Sequence, residues 1–76
     1  MTVAVMSMWT VYDRPRDWPE QYVARRYEIL PDGPMPTEDT ISSVDLALVR
    51  RALSLRGLTP ITRSEGDDPN ILETWL

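Results

Sequence analysis

Seventy-six residues with a formal net charge of −4 make a single small domain, near the lower limit at which an apolar core holds a fold without covalent or metal staples. The chain contains neither cysteine nor histidine. Disulfides, thiolate metal sites, and imidazole bases or ligands are therefore excluded. All eight cations are arginine, and the negative balance sets the surface against phosphate backbones and anionic membranes.

No apolar run approaches the ~18 residues of a membrane span, and the opening MTVAVMSM lacks the basic start of a signal peptide. The expectation is a cytoplasmic protein with no membrane association. Met1, Met6 and Met8 lie close together, so residues 1–7 are expected to form a loose tail ahead of a domain over residues 8–76. Met8 to Asp13 is rich in β-branched and aromatic residues and reads as a strand, with Trp9 and Val11 on one face and Met8, Thr10 and Tyr12 on the other. Pro15 and Pro19 make Arg14 to Glu20 a connection, because proline fixes φ and lacks the N–H a ladder uses.

Tyr22 to Leu30, YVARRYEIL, is the longest strand candidate. Its alternation assigns Val23, Arg25, Tyr27 and Ile29 to the expected core side, and Tyr22, Ala24, Arg26, Glu28 and Leu30 to the other. Pro31 to Thr40, PDGPMPTEDT, holds three prolines and a Pro-Asp-Gly turn and reads as a crossover from strand to helix.

Ser43 to Leu58, SVDLALVRRALSLRGL, carries the strongest local signal, an amphipathic helix. At about 100° per residue, Val44, Leu55, Leu48, Ala52, Val49, Leu53 and Leu46 sweep an apolar arc of roughly 200°. That is wider than one sheet covers. Met35 and Ile41 are expected to shield part of the surplus. Ser42 or Ser43 is suited to cap the N-terminus, and Gly57 with Leu58 forms a Schellman ending against Leu53. Leu58 to Arg63 then reads as an edge strand because of Pro60. Ser64 to Asn70 is turn material, and Ile71 to Leu76 is a closing strand with Leu72, Thr74 and Leu76 opposite Ile71, Glu73 and Trp75. The order β-β-α-β-β predicts an α+β domain: an antiparallel sheet of three to four strands, one helix across one face, the other face open.

Chemistry is sparse. Gly33, Gly57 and Gly66 are too scattered for a phosphate loop or dinucleotide fingerprint, and no nucleophile elbow occurs. The expectation is a protein without catalysis, cofactor or metal. Trp9, Tyr12, Trp18, Arg25, Arg26, Tyr27 and Trp75 are residue types enriched at protein-binding hot spots, which makes an interaction module the leading reading, its partner another protein or a second copy. An acidic set, Glu38, Asp39, Glu65, Asp67 and Asp68, offers an alternative in which the chain imitates nucleic acid to block a basic protein. Single-stranded nucleic-acid binding by the aromatic and arginine residues ranks third, because Asp13, Asp17, Glu20 and Glu28 stand beside those arginines.

The stretches Trp9-Thr10-Val11-Tyr12-Asp13-Arg14-Pro15, Asp17-Trp18-Pro19, Tyr22-Val23-Ala24-Arg25-Arg26 and the ending from Asp67 to Leu76 resemble small proteins encoded in bacterial and phage genomes. The resemblance implies an origin of that kind. It carries no activity and no functional residue.

Overall fold

Strand β1, Met6–Tyr12, is the centre of the molecule: in the computed structural model, which describes residues 6–62 and 70–76, the other strands are laid out on either side of it. It pairs antiparallel with β2, Tyr22–Leu30, from Met6↔Ile29 to Tyr12↔Val23, so the sheet takes in the last two residues assigned to the tail. On its other side it pairs with β5, Ile71–Trp75, through Trp9↔Trp75 and Thr10↔Thr74, with a bulge between Val11 and Tyr12. The edges are β3, Gly33–Ser43, beside β2, and β4, Pro60–Thr62, beside β5. The result is a five-stranded antiparallel sheet of order β3-β2-β1-β5-β4 with one helix, α1, Leu46–Leu55, after the third strand. The α+β class with an antiparallel sheet and one helix is as expected; the sheet holds one strand more.

The added strand is β3, in the segment read as a crossover. Prolines stop a ladder where their N–H groups are needed, but an edge strand tolerates them on its free side. Pro31 and Asp32 turn the chain, Gly33 takes φ +120, and Leu30↔Gly33 closes the hairpin. Pro34 and Pro36 then lie opposite Ile29 and Tyr27. Farther on the register shifts: Arg25 faces Thr40 while Tyr27 faces Pro36, which leaves three residues of β3 against Arg26. The Thr37 hydroxyl fastens this bulge, donating to the Arg26 carbonyl at 2.9 Å and accepting from the Asp39 amide at 3.2 Å. Prolines, a bulge and acidic side chains on one edge, and a three-residue strand on the other, both discourage further strand pairing.

Helix α1 begins later than the serines suggested. Asp45 is the N-cap, accepting from the Ala47 amide at 2.9 Å, and Ser43 acts one step back by accepting from the Asp45 amide at 3.1 Å. The C-terminus is the expected Schellman ending: Gly57 at φ +78 donates to the Ser54 carbonyl and Leu58 to that of Leu53. Because successive pairs are antiparallel, β3 and β4 run in the same direction, and α1 carries the chain from one edge of the sheet to the other.

Beneath α1 lies the core. Val49 and Leu53 pack with Trp9, Val11, Ala24 and Trp75, and Tyr22, Ile41, Leu46, Leu58 and Leu72 surround them. The inner face of β2 is therefore the Tyr22, Ala24, Arg26 set and not the Val23, Arg25, Tyr27, Ile29 set. Two sides of β2 carry buried residues, since Val23 is also fully buried on the opposite face. Alternation alone does not separate two such sides. Arg50 ties α1 to β5 through both oxygens of Glu73, at 3.0 and 3.1 Å, and the hydrogen bond and charge of that carboxylate raise the Arg50 pKa above its ordinary value. Glu73 also accepts from the Trp75 indole at 3.0 Å. Ile41 joins the core margin, but Met35 is exposed and shields nothing, so Val44, Leu48 and Leu55 stay open at 71, 55 and 77 %.

Candidate functional site

The face of the sheet away from α1 is where the sequence-predicted residues converge. On β1, Tyr12 lies on this face with Met8 and Thr10; on β2, Val23, Arg25 and Tyr27 do. Tyr12 and Tyr27 share a hydroxyl hydrogen bond of 2.6 Å. The connection between β1 and β2 folds back over them. Arg14, at φ +44, redirects the chain; its guanidinium lies 6.0 Å from the Tyr22 ring centre and pairs with Asp13 at 3.1 Å. Two reverse turns follow, with Trp18 N–H on the Pro15 carbonyl at 2.8 Å and Gln21 N–H on that of Trp18 at 3.1 Å. Asp17 then reaches the Arg25 guanidinium at 2.7 Å, pinning the connection to β2.

This folding leaves two adjoining recesses. The first, of about 220 Å³, is lined by Tyr12, Pro15, Asp17, Arg25 and Tyr27. The second, also of about 220 Å³, is lined by Asp17, Trp18, Pro19, Glu20 and Gln21. Asp17 is common to both, and Trp18, in the second, is 40 % exposed. Sequence reasoning missed Pro15 and Asp17 as site residues. A tryptophan and two prolines inside so short a connection were the available signal, because an aromatic in a loop gains by lying back on the sheet.

The remaining predicted residues are elsewhere. Trp9 and Trp75 are core residues, only 6 and 5 % exposed, so the binding role expected of them is not open to a partner; their size and apolarity serve packing against Leu53 and Val49. Arg26 is on the helix side, where it donates to Asp39 at 2.6 Å and Ser7 at 3.2 Å and approaches Glu28 at 3.6 Å. It helps line a groove of about 460 Å³ with Ser7, Trp9, Asp39, Thr40, Ile41 and Arg56, whose guanidinium stacks 5.6 Å from the Trp9 ring centre. Arg14, Arg25 and Arg26 thus each have a carboxylate partner. Of the acidic set, Glu38 is exposed on β3 and Asp39 is paired with Arg26, while Glu65, Asp67 and Asp68 lie outside the described residues. Among the described residues no three acidic side chains are placed to hold a metal ion, and no helix is long and apolar enough to cross a membrane.

Comparison with protein-family models, curated proteins and solved structures returned no match to this chain.

Proposed function

We propose that the protein is a small non-catalytic protein-interaction module whose binding surface is the open sheet face at Tyr12, Trp18, Arg25 and Tyr27. The observation that carries this reading is the recess lined by Tyr12, Arg25 and Tyr27 on the sheet face away from α1, joined through Asp17 to the recess that Trp18 lines. Tyrosine, tryptophan and arginine deliver large contact area with few rotors to immobilise, which is why they dominate interface energetics. The ion pair between Arg25 and Asp17 and the hydroxyl pair of Tyr12 and Tyr27 pre-order the surface. Less conformational entropy is then lost on binding.

The exposed flank of Val44, Leu48 and Leu55 is the competing surface. Three side chains supply much less than the ~800 Å² per partner of an ordinary specific interface. The flank therefore ranks as a rim to an interface and not as its centre. Affinity capture with the tagged protein from its source cells tests the assignment. The captured partner should be lost with Trp18→Ala and retained with Leu55→Glu; the reverse pattern moves the interface to the helix. Light scattering of the purified protein separates a foreign partner from a second copy.

A further inference from the structure

We infer that the two recesses beside Asp17 take a basic, proline-rich peptide in the polyproline II conformation, an inference that rests on the interaction reading of this face. The lining decides the class of ligand. Among the described residues it contains, apart from Pro15 and Pro19, no aliphatic side chain, only the rings of Tyr12, Tyr27 and Trp18 among polar and charged groups. An amphipathic helix docks by pushing aliphatic anchors into an aliphatic groove, which is absent here. An added strand needs an unpaired sheet edge, whereas β1 and β2 are interior strands. Flat rings instead accept pyrrolidine rings face to face, the mode by which aromatic-lined grooves hold proline-rich segments.

Hydrogen-bonding character agrees. A polyproline II segment has no internal hydrogen bonds, so its carbonyls are free acceptors, and its prolines bring no donors. Arg25, the Trp18 indole and the Gln21 amide provide donors at the recesses. Charge supplies the orientation: Asp17 is neutralised by Arg25 at the first recess, whereas Glu20 at the second makes no ion pair among the described residues. An arginine or lysine flanking the prolines is attracted to that end. A second copy is a poorer ligand, because its own Pro34 and Pro36 are committed to strand β3 and its Pro31 to the turn before it, beside Asp32.

The test is fluorescence anisotropy of a labelled synthetic peptide of Pro-x-x-Pro spacing flanked by arginine, titrated with the full chain. Saturable binding is expected, weakened about tenfold or more when the prolines become alanine, when the arginines become glutamate, or when the protein carries Trp18→Ala. Circular dichroism of Trp18→Ala should match the parent, since that side chain is partly solvent-exposed and outside the core cluster. Equal binding of all three peptides, or none of any, overturns the inference, as does Trp18-dependent self-association in light scattering. If no peptide binds while cellular capture still depends on Trp18, the ligand class is wrong and the interaction surface stands. If capture also survives Trp18→Ala, both are wrong.

Discussion

Leu53 and Leu55 lie two positions apart on the same helix, yet Leu53 is fully buried and Leu55 is 77 % exposed. Truncating each to alanine makes the same chemical change in nearly the same helix propensity context, so the difference isolates burial. At Leu53 the loss combines the transfer energy of the removed carbons with a cavity among Trp9, Val11, Ala24, Val49 and Trp75, together about 3 to 4 kcal/mol. A chain of this length has a total stability of about 4 to 11 kcal/mol. The substitution therefore removes roughly a quarter or more of it, and lowers the melting temperature by at least about 12 °C at ~4 °C or more per kcal/mol. Leu55→Ala should stay within about 0.5 kcal/mol. Urea unfolding followed by tryptophan emission is the assay, because Trp9 and Trp75 lie in the same cluster as Leu53. The slope with denaturant should not change between the variants. Equal costs at the two leucines would falsify the placement of the helix on the sheet.

Three further outcomes follow from single contacts. Glu73→Ala should cost about 1 to 3 kcal/mol, because the buried Trp75 indole N–H loses its acceptor, whereas Arg50→Ala removes only a half-exposed partner and should cost at most about 1 kcal/mol; thermal melts of both variants with Glu73→Gln between them check the ranking. Gly57→Ala should cost about 1 kcal/mol although nothing lies within 4 Å of the added carbon, since the left-handed φ of +78 is the entire penalty; a neutral result in urea unfolding would mean that the helix end adopts another conformation. Replacing Pro34 and Pro36 together with valine should leave the monomer folded but raise its aggregation rate, because new N–H groups appear along the β3 edge; size-exclusion chromatography over time measures the change.

The local elements were largely legible. The helix over Leu46–Leu55 follows from a 3.6-residue apolar period, and its ending from one glycine whose freedom at positive φ no other residue matches. Both faces of β1 follow from alternation, since Trp9 and Val11 do turn inward together. The closing strand and the edge position of β4 were equally plain from Ile71 to Trp75 and from Pro60. These features depend on near neighbours in the chain.

What the sequence could not settle depends on partners far away in it. Pro34 and Pro36 belong to a strand only because β2 lies on one side of them and nothing on the other, a condition set by the order of strands. The inner face of β2 was misassigned because both faces hold buried residues, Ala24 beneath α1 and Val23 on the opposite side. The contact of Asp17 with Arg25 brings Pro15 to Tyr12 and Tyr27 in one recess and sets Trp18 in the next, while Trp9 and Trp75 go to the core. Residue types alone did not divide the aromatics, and only tertiary packing separated those left at the surface from those that hold the sheet to its helix. The physical reason is that periodicity encodes which side of an element is apolar, whereas the element that covers that side is chosen by the whole chain.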